Sequence, residues 1–407
     1  MTKTTRLLVP AALMAGLGVA PVHANDAETL RQMKAQMAQM QAQIEAMERR
    51  LQEQEVQQQK AEVQLAKTES REKTLDELVQ VYGQANVSVD HRSGDWNGND
   101  GTAINSNASR LGVKGGLATS LPDIRLIYQT ELRYETTDYV NGGPGSDSGA
   151  KQVEFREAYA GFQGDSWGKL RIGRLNTGYK STGTEIDPWT DNAPQARSGG
   201  RQGMSELHSS YFNNAADYKT PTFLGGLTGT AWYATQFDES SKPLHNTGTL
   251  RNYVAGQAGG VGVKYNDGRI FLGADWLDVN AETITRTGLE NGNAWQVAGR
   301  YKFGPFNGNQ SLSVSALYED ADELGLGRNL YTNLIFGIQD VRFIGAYGQN
   351  RDGVVYGEKD WDNWSLGMKY ALNKRSELLA AWNQRIDDTD NKDFNTLTVG
   401  FKAKFGY

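Results

Sequence analysis

Three features of the sequence predict an all-β transmembrane barrel of 16 antiparallel strands, with one long loop folded inward and an α-helical coiled coil ahead of it. From Val81 to Tyr407 apolar and polar side chains alternate with a period of two, so each run has one apolar and one polar face. Tight turns and long polar loops join the runs in alternation, as in membrane barrels. Aromatic residues recur at the ends of runs (Tyr134, Tyr139, Tyr301, Phe303, Tyr318, Tyr370, Phe405, Tyr407), where interfacial girdles are needed.

Composition agrees with this class. The chain has 407 residues, a formal charge of −6 and no cysteine. Gly 47 against Pro 9, with 18 Tyr, 13 Phe and 9 Trp, supplies many turns and much aromatic surface. Mean hydropathy is −0.60. A barrel is compatible with that value, because its strands alternate lipid-facing with water-facing residues. No stretch after the first twenty residues approaches the ~18 consecutive apolar positions of a spanning helix. Lack of cysteine removes disulfides and thiolate metal sites, and the mild acidity argues against a nucleic-acid partner.

Residues 1–24 read as an export signal. Lys3 and Arg6 form the positive region, Leu7 to Val19 the apolar core, and Val22-His23-Ala24 the small-residue cleavage site before Asn25. The next segment, 25–75, is read as a periplasmic coiled coil. Leu30, Met37, Ile44 and Leu51 recur every seven residues, with Met33, Met40 and Met47 three positions after the first three. This seam continues through Gln58 and Leu65, over about six heptads, and a strict period of seven calls for a supercoiled partner. Self-association is therefore expected, as a dimer or a trimer, in a rod roughly 60 Å long at 1.5 Å per residue. Gln54 and Gln58 form polar layers that fix register at some cost in stability.

Residues 76–407 form the barrel domain. Sixteen alternating runs start near 81, 109, 124, 151, 167, 208, 227, 258, 269, 293, 310, 328, 341, 362, 375 and 394. The eighth and twelfth are diluted by Gly and Asn. Leu121-Pro122-Asp123, Gly164-Asp165-Ser166, Asn266-Asp267-Gly268 and Asn373-Lys374 are the tight turns. Residues 93–108, 137–150, 238–257, 280–292 and 350–361 are the long connections. A soluble sandwich also alternates, but it would scatter its aromatics through a core, and sixteen strands in one sheet need closure to avoid open edges.

The stretch from Trp167 to Ser210 organises the rest. A strand with Arg171 and Arg174 leads into an irregular segment carrying Glu185, Asp187 and Asp191, then Arg197 and Arg201. A loop of about thirty residues without periodicity is uncommon in a compact domain and is usually functional or disordered. Here it is expected to enter the barrel and narrow its channel. Pro188 stiffens the tip and restrains Asp187, which also serves loop packing.

Alternation assigns wall residues to the lumen. Arg110 and Lys114 oppose Leu111 and Val113 in parity; Arg125, Glu131 and Arg133 face inward, as does Arg156 against Val153 and Phe155. Arg174 shares parity with Leu170 and Ile172, so it reaches the lumen only if the strand has ended. Glu157 falls on the lipid-side parity, which implies a subunit interface or a local bulge. Any one of these charges also has the plainer role of a wetted wall residue without effect on selectivity.

Several blocks then resemble one family, the trimeric general porins of the Gram-negative outer membrane. They are VYGQANVSVD, SRLGVKGG, FREAYAGFQGDSWGKLRIGRLNTGYK, YFNNAADYKTP and the closing GFKAKFGY, spread over nearly all of 81–407. The resemblance implies a sixteen-stranded homotrimeric barrel in outer-membrane lipid and lipopolysaccharide, with the third loop folded in as a constriction. It places basic wall residues at Arg110 and Arg174 and acidic ones at Glu131, Glu185, Asp187 and Asp191. A terminal aromatic, here Tyr407 where the family has Phe, implies recognition by the barrel-assembly machinery. The coiled coil departs from general porins and is similar to extensions of some substrate-selective trimeric porins, including dicarboxylate channels.

The expected function is passive diffusion of small hydrophilic solutes and ions through a water-filled pore, with Arg110, Lys114, Arg125, Arg133, Arg156, Arg174 and Arg201 as basic constriction residues. A selective anion or dicarboxylate channel is the alternative. A third reading is a tether, in which the coiled coil reaches peptidoglycan or a periplasmic protein. An enzyme is not expected: His91, His208 and His245 lie in no Ser–His or HExxH motif, and no cofactor or metal is implied.

Overall fold

The computed structural model describes residues 78–94, 100–134, 153–197, 202–209, 211–235, 253–284, 288–306, 309–354, 360–387 and 393–406 of the barrel domain. Ahead of it residues 31, 34–35, 37–47, 49–58 and 60 are described. The chain divides at Lys73/Thr74 into two units. In the first, residues 37–47 and 49–58 are helical, and the seam of Met37, Met40, Ile44, Met47 and Leu51 is exposed along them. Leu30, Met33, the signal region 1–24 and the later heptads fall outside the described residues. Among the described residues no helix is long and apolar enough to cross a membrane.

The second unit is a closed antiparallel barrel. Its strands are β1 (Gln80–Gly94), β2 (Gly101–Ser106), β3 (Arg110–Ala118), β4 (Arg125–Tyr134), β5 (Val153–Gly164), β6 (Gly168–Leu175), β7 (Phe212–Lys219), β8 (Leu227–Thr235) and β9 (Tyr253–Asn266). They continue with β10 (Ile270–Ile284), β11 (Gly292–Phe306), β12 (Gln310–Ala321), β13 (Gly327–Ile338), β14 (Val341–Arg351), β15 (Trp361–Asn373), β16 (Ser376–Asp387) and β17 (Phe394–Phe405). Both β2 and β3 pair with β1, from Arg92↔Gly101 down to Gln80↔Lys114. They are one strand interrupted at Asn107–Ser109, where Ala108 takes a left-handed φ of 54°. The count is therefore sixteen, and β1 closes the ring on β17 from Gly83↔Phe405 to Gly94↔Phe394. Four of the expected long loops are shorter than read: β2 occupies part of 93–108, β9 begins at Tyr253, β10 runs on to Ile284, and β14 and β15 reach Arg351 and Trp361. The two diluted runs are full strands, β9 and β13.

Burial in the barrel is inverted relative to a soluble protein. Along β17, Thr396, Thr398 and Lys402 are buried while Leu397, Val399 and Phe401 are exposed, Val399 at 57%. On β1, Gln84, Asn86, Ser88 and Asp90 are buried and Val89 is exposed. Apolar outside and polar inside is the requirement of a wall between lipid and a wet interior. Exposed aromatics gather in two bands: Phe303, Phe306, Phe343, Tyr370 and Phe405 towards the short turns, and Tyr233, Trp295 and Trp364 towards the long loops. Tyr139 and Tyr407 lie outside the described residues.

The buried apolar clusters join the long connection from β6 to β7 to the barrel strands. Ile186, Ala196 and Met204 of the connection pack with Phe271, Leu317 and Tyr331, while Trp189, fully buried, packs with Ile344 and Ala381.

Candidate functional site

The β6–β7 connection begins with a helix, Gly178–Ile186, capped by the Thr177 side chain, which accepts from the Lys180 N–H at 3.4 Å. A series of turns follows to Arg197, then a short 3-10 turn, Glu206–Ser209. The connection bonds to strands from around the ring. Lys264 Nζ of β9 donates to the Gly178 carbonyl at 2.9 Å, and Asn333 Nδ2 of β13 to the Ile186 carbonyl at 2.8 Å. Lys402 Nζ of β17 donates to the Thr190 carbonyl at 3.2 Å, and Asn86 Nδ2 of β1 to that of Asp191 at 2.9 Å.

The strongest anchor is Glu319 on β12, which is fully buried. Its carboxylate accepts from the Ser205 N–H and hydroxyl at 2.8 and 2.6 Å and from the Tyr179 hydroxyl at 2.8 Å. His208 Nε2 lies 3.4 Å away. A serine, a histidine and a carboxylate thus meet, but Ser205 donates to the carboxylate rather than to the imidazole. All three are buried, so no solute reaches the hydroxyl. The group holds the loop.

Opposite that anchor, the connection faces β3, β4 and β5 across a cavity of about 300 Å³. Arg110, Lys114, Glu131, Arg156 and Asp191 all line it. Asp191 pairs with Arg110 Nη1 at 3.2 Å and with Arg197 Nη2 at 2.7 Å. Glu131 pairs with Arg156 Nε at 2.6 Å and lies 3.7 Å from Arg110 Nε. Burial pushes the Asp191 carboxyl up, but the guanidiniums of Arg197, Arg110 and Arg156 outweigh it and hold the group well below the usual carboxylate range. Lys180 Nζ rests 3.4 Å from the centre of the Tyr211 ring, and burial, with Arg197 and Arg156 nearby, lowers its pKa well below the lysine range.

Glu157 also lines this cavity. Between β4 and β5 the register slips, with Thr130↔Ala158 followed by Leu132↔Phe155, so two residues of β5 oppose one of β4. That bulge turns both Arg156 and Glu157 inward, where Glu157 accepts from Gln129 at 3.1 Å and from the Asn176 N–H at 3.2 Å. Strict alternation missed it, along with Lys180 and Arg197. Arg197 was visible as a charge in the loop, but nothing in an aperiodic segment says which way it points.

The remaining sequence candidates lie elsewhere. Arg125 lines a second cavity. Arg133 pairs in register with Arg110 and does not line the first cavity. Arg174 is buried behind Tyr211, donating to the Phe155 carbonyl at 3.0 Å and to Asn213 at 2.8 Å. Glu185 is on another wall, 2.9 Å from Arg300 Nη2. Asp187 is turned into the loop itself, accepting from the Trp189 and Ala196 N–H groups at 2.9 and 3.0 Å. Arg201 is outside the described residues.

The comparisons with known proteins agree with this architecture. The family model described as Gram-negative porin matches residues 61–402. An outer membrane porin protein of Bordetella pertussis is 25% identical over 335 residues, covering 74% of this chain and 83% of that protein. The major outer membrane protein P.IB of Neisseria meningitidis is 31% identical over 349 residues, covering 80% and 94%. Among solved structures, an anion-selective porin from Comamonas acidovorans superposes with a TM-score of 0.57 at 16% identity, covering 80% of this chain and 99% of that one. A sixteen-stranded closed barrel, an inverted burial pattern and a family match over most of the chain lead to one conclusion: this protein belongs to the Gram-negative porin family and forms a channel in the outer membrane.

Proposed function

We propose that this porin is an anion-preferring passive channel whose β6–β7 loop lies in the lumen and sets the constriction. The observation that carries the reading is the charge balance of the first cavity. Arg110, Lys114, Arg156 and Arg197 face three carboxylates, Glu131, Glu157 and Asp191. A narrow pore compensates a solute's lost hydration with fixed charges, and an excess of cations favours anions. The carboxylates keep the guanidiniums extended, so solutes meet both signs and a transverse field. Placement of the loop inside the ring is supported by its bonds to strands as far apart as β1, β9, β13 and β17. The superposition on an anion-selective porin is compatible with the reading.

The N-terminal helix fits a periplasmic stalk that reinforces a homotrimer, after removal of the signal region. Its exposed methionine, isoleucine and leucine seam needs a partner, and identical helices of neighbouring subunits supply one. Contact with peptidoglycan or a periplasmic protein is a further use of the same rod, and the closing β17 strand is the segment offered to the assembly machinery.

Liposome swelling with arabinose, and then with salts of small carboxylates, tests the loop's part in this. Glu319→Ala removes the acceptor of Ser205 and Tyr179 and is expected to raise single-channel conductance and the swelling rate for neutral sugars. Unchanged conductance with a correctly folded variant would contradict a loop-set constriction.

A further inference from the structure

Lys180 lines the first cavity but takes no part in its charge pairs. It stands in the helix Gly178–Ile186 and is 3% exposed. Its backbone N–H is bonded to the Thr177 cap, which fixes where the side chain starts. Its Nζ donates to the Ser209 carbonyl at 3.3 Å and rests 3.4 Å from the centre of the Tyr211 ring. Both partners are neutral. The carboxylates that line the cavity are engaged elsewhere: Asp191 with Arg110 and Arg197, Glu131 with Arg156, and Glu157 with Arg171 at 3.4 Å and with the Asn176 N–H.

Guanidiniums crowd the same spot. Arg197 Nη1 donates to the His208 carbonyl at 3.2 Å, one residue before the carbonyl that holds Nζ. Arg156 Cζ lies 5.4 Å from the centre of the ring on which Nζ rests. Burial and these two cations disfavour the ammonium form, so the amine tends to stay neutral and keeps its lone pair. A desolvated lysine beside other cations is a nucleophile at neutral pH. The same guanidiniums suit an anion formed on Nζ, because a carboxylate matches their planar fork. Since the side chain is almost covered, only a small uncharged electrophile reaches Nζ without displacing the ion pairs around it. Carbon dioxide is that small, and its adduct with an amine is a carboxylate.

We propose that Lys180 is a carbamate site: carbon dioxide adds reversibly to its Nζ, and Arg197 and Arg156 hold the product. The nitrogen lone pair forms the N–C bond, one C=O π pair moves onto oxygen, and one Nζ proton leaves to water. No electrons are gained or lost, so no oxidant or reductant is needed. The step turns a neutral side chain into an anion. Four carboxylates, rather than three, then face Arg110, Lys114, Arg156 and Arg197. The new carboxylate competes with passing anions for the guanidiniums, so it lowers the preference for anions. This effect on flow deepens the anion-preferring reading and rests on it; the chemistry at Nζ does not.

The test is chemical trapping on the full-length folded protein in detergent, equilibrated with isotope-labelled carbon dioxide and bicarbonate at constant pH. Triethyloxonium ethylates any carbamate, and mass spectrometry of the digest locates the labelled ethoxycarbonyl group. The label is expected on Lys180, and it is lost when carbon dioxide is removed before trapping. R156Q is expected to lower the trapped fraction about fivefold, the loss of one charge contact in a wet cavity. In a planar bilayer under a potassium chloride gradient, carbon dioxide and bicarbonate are added equally to both sides at constant pH. The wild-type zero-current potential is expected to move towards zero, while that of K180R, which keeps a cation but forms no carbamate, does not follow it. No label on Lys180 of folded wild-type protein overturns the site, whether or not the variants fold. Label on Lys180 no greater than on the exposed Lys374 overturns it as well, because the reaction is then unselective. Selective label on Lys180 with a wild-type potential that carbon dioxide does not move leaves the carbamate standing and contradicts the proposed constriction instead.

Discussion

Asp191 shows how much one side chain carries. Its left-handed φ of 65° turns the loop back, its carbonyl accepts from Asn86, and its carboxylate holds Arg110 and Arg197 together. The carboxyl is depressed below the usual range of about 3.9 by those guanidiniums. Its contribution to stability is therefore full above the unfolded pKa and lost only as pH falls through the lower folded value. Asp191→Asn strands two guanidiniums, a loss of about 3 kcal/mol, at the low end for a buried pair because Arg110 is partly hydrated. Chemical unfolding at pH 7 and pH 5 is expected to give the same difference between wild type and variant, shrinking only at strongly acid pH. A difference that vanishes by pH 5 would show that the carboxylate is not held by these partners.

At the scale of elements, what could be read from the sequence was whatever follows the two-residue period. Arg110 and Lys114 reach the first cavity because β3 is regular there, and most of the sixteen strand starts were legible for the same reason, while Glu131 and Arg156 sit where β4 and β5 slip in register. Where an extra residue enters, the reading failed: the β5 bulge reverses the parity of Glu157. In the loop no period exists, so Glu185, Asp187 and Asp191 looked alike. Tertiary contacts send the first to Arg300, the second to its own loop backbone and the third to the cavity. The outer face obeys a different rule. Val399, exposed near the middle of β17, meets lipid, and Val399→Arg is expected to cost about 2–4 kcal/mol near the bilayer midplane. The heat-modifiable gel mobility of the folded protein, followed against urea, measures it. A neutral outcome would place that face away from the hydrocarbon.

For the whole molecule, pairing of β1 with β17 joins the two ends of the sheet into a ring, and sixteen strands leave it wide enough for water. In the proposed reading the loop then sets the width and the sign of the passage. On one side Glu319 accepts from its Ser205; on the other, four cationic groups and three carboxylates border the gap. Passive flow through such a gap needs no catalytic group and no bound cofactor, only a fixed field and a fixed width. The zero-current potential of single channels under a potassium chloride gradient tests this claim most directly. The account predicts a potential of the sign set by chloride, moving towards zero in Arg110→Gln and Arg156→Gln. Each lost charge is worth about 1 kcal/mol at 4 Å in a wet pore, roughly fivefold in the permeability ratio. A potential set by potassium in the wild type, or one that neither variant moves, would contradict it.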